Sequence, residues 1–174
     1  MPGKEPALTR WAIQVLTSEY LVDGILDSQD GANAAFLHAE AGSAPFAALE
    51  LTQAALQPAG ALAIAPGPAA KFSLPYSSAV VAVIPRDAAG SAYALKHNSG
   101  SRHPIPANVY AGPYLLRGTI LSPDKELSIL AGYLSFAMQS VVIDSLEPGA
   151  RLHGLEAPYV IVRTLVLHGI VTAG

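Results

Sequence analysis

The sequence contains no cysteine, which excludes a disulfide scaffold, a thiolate zinc site and a cysteine nucleophile together. Charge is scarce as well. Asp, Glu, Lys and Arg make up 13% of the 174 residues, where soluble domains carry about a quarter. The ten Lys and Arg never stand side by side, and the formal net charge is −3. The clustered positive surface that a nucleic-acid footprint needs is therefore missing, and no nucleic-acid partner is expected. No HExxH, no G-x-S-x-G and no run of glycines opening a helix occurs, so the sequence offers no zinc-protease helix, serine elbow or phosphate loop.

A membrane-spanning run is also absent. The longest uncharged stretch, Leu51 to Ala70, carries Pro58, Gly60, Pro66, Gly67 and Pro68 and cannot form one continuous helix. Met1 to Ala7 is polar with two prolines, and the apolar stretch Trp11 to Leu16 that follows is too short for a signal-peptide core. Cytoplasmic residence without a membrane association is the expectation. What the chain has in excess is apolar residues, 51% of the total. So few charges cannot cover the surface, so either two halves bury a large face against each other, or the chain forms a homo-oligomer, or both, with Leu62 to Pro68 as a candidate contact patch.

The most specific pattern is a repeat. Tyr114 to Leu121 reads YLLRGTIL, and Tyr20 to Leu26 reads YLVDGIL, 94 residues earlier. Repeats outrank other signals because they decide the whole architecture. Ser28-Gln29-Asp30 lies over Ser122-Pro123-Asp124. A shift of the alignment then sets Phe46 on Phe136, and a further shift sets Pro75-Tyr76 on Pro158-Tyr159, each opening a β-branched run. Each copy reads strand, helix, strand, strand. The expected fold is mainly β, two tandem small β-barrel or curled-sheet repeats with one short helix each, related by pseudo-twofold symmetry. The expected domains are repeat 1 over 8–87, a linker over 88–105 and repeat 2 over 106–171.

Local signals fill this frame. Trp11 to Tyr20 has strand composition and turns at Thr17-Ser18-Glu19 into the next strand. Asp30 and Ser122 cap short helices that end at Gly42 and Gly132. Phe136 to Leu146 reads as a strand, Glu147-Pro148-Gly149 as a tight turn, and Tyr159 to Val171 as a closing strand with a bulge or close backbone approach at Gly169. Gly24 and Gly118 stand alone inside strands, where a bulge or tight bend accounts for them. Gln57 to Lys71, rich in proline and almost uncharged, reads as a loop that would be a lid, an interface or part of the core.

Tyr114, Leu116, Gly118, Leu127, Ser128 and Val141 to Ile143, with Tyr20, Val22 and Gly24 in the first copy, resemble a small bacterial β-rich domain family of uncharacterised function. The resemblance implies a small barrel or curled sheet and carries no catalytic residue.

Chemistry-bearing residues are few. Of His38, His97, His103, His153 and His168, only His97 and His103, with Asp87 nearby, suggest a metal pair, weighed against solvated loop histidines. His153 stands beside Arg151 and Glu156 as a surface pair, and His168 reads as a strand-end or interface residue. Ser77-Ser78 has no partner histidine in view. Asp23 in the first copy is replaced by Arg117 in the second, so the two could face each other or both face water. No catalytic residue and no cofactor is expected. The leading function is a non-enzymatic interaction or assembly module. Two alternatives stand beside it: a small-ligand-binding protein or minor enzyme with a pocket between the repeats, and an RNA-binding small barrel.

Overall fold

The computed structural model describes residues 8–29, 48–61, 63–64, 67–75, 80–98, 103–127, 133 and 135–172. It is mainly β. The strands are β1 (Leu8–Thr17), β2 (Tyr20–Gln29), β3 (Ala48–Pro58), β4 (Ala69–Pro75) and β5 (Val80–Pro85). After the helix α1 (Ala88–Asn98) come β6 (His103–Ala111), β7 (Tyr114–Ser122), β8 (Ser135–Ser145), β9 (Leu155–Arg163) and β10 (Leu167–Thr172). All ten strands join one antiparallel sheet in the order β10-β6-β7-β8-β9-β5-β1-β2-β3-β4. The sheet is open, with β10 and β4 at its edges, so neither group of five closes into a barrel by hydrogen bonds.

The order has an internal rhyme. In each group the fifth strand lies beside the first, followed by the second, third and fourth, and the groups meet where β9 pairs with β5. The registers rhyme too. Val22 faces Leu56 and Asp23 faces Ala55, then the ladder slips so that Ile25 faces Thr52. Leu116 faces Ile143 and Arg117 faces Val142, then the same slip sets Thr119 opposite Gln139. Gln53 and Ser140 take the left-handed backbone in these two bulges, each with φ 51°. Phe136 faces Val162 in the place where Leu49 faces Leu74. Its counterpart in the ladder is therefore Leu49 and not Phe46, which lies outside the described residues. Likewise the counterpart of β9 is β4, not the run Val80–Ile84, whose place in the order belongs to β10.

Five is an odd number, and every neighbouring pair is antiparallel, so corresponding strands of the two groups run in opposite directions while their order is kept. The buried apolar side chains form two cores. Ile13, Val15, Val22 and Leu26 fill one core with Leu49 and Leu51, whereas Ala107, Val109, Leu116 and Ile120 fill the other with Phe136 and Met138. The central strands serve both. Val83, Tyr159 and Ile161 face the first core, and Ala82, Ile84, Val160 and Val162 the second. A strand covered on both sides reads as a continuous apolar run, which is why VVAVI and YVIV carry no alternation.

Three local expectations differ from the structure. Ala69–Pro75, whose first three residues fall in the expected loop Gln57 to Lys71, is a strand whose Leu74 is buried while Lys71 and Ser73 are exposed. Ala88–Asn98, read as linker, is a helix: Asp87 accepts from the Gly90 amide at its N-terminus, as capping residues do. It lays Tyr93 against Trp11, ring centroids 5.0 Å apart. The closing run is broken by a single 3-10 turn at Thr164–Val166 into β9 and β10. The register slip between Leu167 and Gly169 agrees with a bulge there. The expected helix over 30–42 falls outside the described residues, as does most of the one expected after Ser122, where Pro123–Lys125 form a bend.

Candidate functional site

The place where the two groups meet is built by more than the β5–β9 ladder, which contains only Ala82 opposite Val162 and Val83 opposite Ile161. Thr17 ends β1 and folds its hydroxyl under the turn, accepting from the Tyr20 amide at 2.9 Å. That turn presents the carbonyls of Thr17 and Ser18 to Tyr114, whose hydroxyl donates to them at 2.7 and 3.2 Å. Tyr114 is fully buried. Burial first, then the negative fields of Glu147 and Glu19, pushes its ionisation well above the ordinary tyrosine range, so it stays a neutral donor. Beside it the Arg151 amide donates to the Ala59 carbonyl at 3.3 Å, a second tie between the groups.

The rhyme extends to these turns. The Ala59 amide donates to Glu19 and the Leu146 amide to Pro113, both at 2.8 Å. The Asp23 carboxylate accepts from Gln57 at 3.1 Å, and Arg117 is bonded and ion-paired to Asp144. The opposite charges at Asp23 and Arg117 thus do not face each other; each completes a cross-strand pair within its own group. Gly24 and Gly118 both lie against the neighbouring strand. A Cβ on Gly118 would come 2.8 Å from the Gln139 carbonyl oxygen and 3.0 Å from Val141, and one on Gly24 would come 2.8 Å from the Leu51 Cβ. The bulged strand leans over the glycine, and this close approach is what the repeated motif demands.

The remaining candidates are dispersed. His97 falls in the last turn of α1, and His103 opens β6 opposite Ser122. Asp87, which was to join them, is engaged by the amides of Ala12 and Gly90. Among the described residues no three of His, Asp and Glu form a group that could hold a metal. His153 bonds the Ala150 carbonyl at 3.0 Å, and His168 is an exposed residue in the β10 bulge. His38 and Ser77-Ser78 lie outside the described residues. In the candidate patch, Ala63 is buried and Ile64 is 81% exposed; Leu62, Ala65 and Pro66 are outside the described residues. A cleft of about 300 Å³ opens between the groups, lined by Leu21, Gln57 and Pro58 on one side and Arg151, His153 and Glu156 on the other. No helix among the described residues is long and apolar enough to cross a membrane. No family model, no curated protein and no solved structure matches the chain.

Proposed function

We propose that the chain is a tandem pair of one five-stranded unit, of the small bacterial β-rich kind that its Tyr-x-aliphatic-x-Gly motif resembles, and that it works as a non-enzymatic assembly module that forms homo-oligomers. The observation that carries this reading is the shared register. Both groups have the same neighbours, the same bulge with a left-handed residue at Gln53 and Ser140, and the same glycine beneath it. The functional half of the reading rests on where the sheet ends. β10 contains no Asp, Glu, Lys or Arg, and Val171 on it is 54% exposed, so one edge lacks the acidic and basic side chains that usually prevent strand pairing. Light scattering on the purified chain tests it: a mass that rises above the 18.0 kDa protomer with concentration supports assembly, and an unchanging protomer mass at high micromolar concentration counts against it.

The cleft between the groups favours one second reading, a small-ligand site. Arg151, Gln57 and His153 around it suit an anionic or polar small molecule. Absorbance or mass of a co-purified ligand tests that reading. Salt-dependent retention of RNA tests the third, an RNA-binding barrel, which the net charge of −3 disfavours.

A further inference from the structure

Each five-stranded group offers a fourth-strand edge and a fifth-strand edge, and the chain joins one of each, β9 to β5, internally. The two edges left over are again a fourth and a fifth strand, β4 and β10. They belong to groups that cover opposite faces of the sheet and stand at its two ends. We propose that β4 of one chain pairs with β10 of a second copy by repeating the internal joint. This deepens the assembly reading above and rests on it.

The internal joint prescribes the register. Val162 in β9 corresponds to Leu74 in β4, because Phe136–Val162 and Leu49–Leu74 occupy the same ladder position. Ala82 in β5 corresponds to Gly169 in β10, because Leu16–Ala82 and Tyr110–Gly169 do so. Val162 opposite Ala82 therefore becomes Leu74 opposite Gly169, again a large residue beside a small one. Ile161 opposite Val83 becomes Ser73 opposite Ile170. Two positions further along, Lys71 meets Thr172, and between them Phe72 meets Val171. An aromatic beside a β-branched residue is a favourable cross-strand pair, and it covers the exposed Val171. Tyr20 stands where Tyr114 does, and its hydroxyl makes no hydrogen bond among the described residues. In the repeated joint it reaches the Ala111 and Gly112 carbonyls of the second copy, which correspond to Thr17 and Ser18.

The joint is not a full copy. Lys71, ion-paired to Glu50 at 2.7 Å with both side chains more than half exposed, stands where β9 has the buried Tyr159. The back of β4 therefore stays in water, and the contact is a reversible one that depends on concentration. Because it joins unlike edges, it is heterologous and builds chains or rings of copies rather than stopping at a twofold dimer.

The absence of native cysteine makes the test direct. Chains carrying Ser73→Cys and chains carrying Ile170→Cys are mixed and oxidised, since facing residues of antiparallel strands lie within disulfide reach. A second mixture uses Lys71→Cys with Thr172→Cys, exposed positions whose change spares the fold. The expected result is a cross-linked dimer in the mixtures and none from either variant alone, with Val171→Lys abolishing both the cross-link and the mass increase in light scattering. Dimers from the Ile170→Cys chain alone mean that β10 pairs with itself and overturn the proposal. Assembly by light scattering without either cross-link overturns this joint but leaves the assembly reading standing. A protomer mass throughout overturns both.

Discussion

The Tyr114 hydroxyl donates to the Thr17 carbonyl oxygen at 2.7 Å, fastening the start of β7 to the end of β1 across the junction of the two strand groups. Tyr20, which opens β2 as Tyr114 opens β7, has no such partner among the described residues. Replacing Tyr114 by Phe leaves the Thr17 carbonyl without its donor in a buried setting, at a cost of about 1 to 3 kcal/mol. Tyr20→Phe in the dilute protomer stays within about 0.5 kcal/mol. Urea midpoints of the two variants decide it, and equal effects would remove the junction role of Tyr114.

The same tyrosine gives a pH dependence. Its folded-state ionisation is shifted upward by burial and by Glu147 and Glu19, so the folded chain holds this proton more tightly than the unfolded chain. The stability from the neutral phenol is whole below about pH 10, the ordinary value for tyrosine, and is lost progressively as pH rises beyond it. The stability difference between the parent and Tyr114→Phe should shrink above pH 10 and stay level between pH 7 and 9. A difference that shrinks on acidification instead contradicts the assignment.

Gly118 tests the bulge. A side chain there meets the Gln139 carbonyl at 2.8 Å and Ser140 at 3.1 Å, and main chain cannot move aside as a side-chain tip can. Gly118→Val should lose roughly 2 kcal/mol or more, while the exposed Lys125→Ala stays within about 0.5 kcal/mol. If Gly118→Val unfolds at the parent's urea concentration, the glycine is incidental to the motif.

Asp87 separates a structural role from a metal. It accepts from the Ala12 amide at 2.9 Å and from Gly90 at the start of α1, so Asp87→Ala should cost about 0.5 to 2 kcal/mol, the usual loss of a cap. Thermal unfolding with and without EDTA is the check. The loss should be the same in both, and a loss that the chelator erases would restore His97 and His103 as ligands.

Much of this architecture is legible in residues that announce themselves. The Tyr-x-aliphatic-x-Gly motif marks β2 and β7, and Glu147-Pro148-Gly149 marks a turn, in which Gly149 has φ 76° and Ala150 donates back to Glu147. Other elements are hidden for physical reasons. In β4 only Phe72 and Leu74 carry the alternation, inside a proline-rich stretch whose composition reads as loop. Phe136 and Leu49 share a ladder position but not a size, so matching phenylalanine to phenylalanine misplaces the first shift of the alignment. The Tyr114–Thr17 bond was beyond reach, because the motif reveals a buried tyrosine but not which turn of the other group it would touch. The continuous runs of β5 and β9 conceal their adjacency, since burial on both faces erases the period by which a strand declares its neighbours.

Native-state hydrogen exchange on the intact chain, at two protein concentrations, bears most directly on the claim that two equivalent strand groups are joined head to tail. The account predicts that the amides of Val83 and Ile161, at the internal joint, exchange only through global unfolding. Amides along β4 and β10 should exchange faster in dilute solution and slow together as concentration rises. Fast, concentration-independent exchange at Val83 and Ile161, with the two groups opening separately, would contradict it.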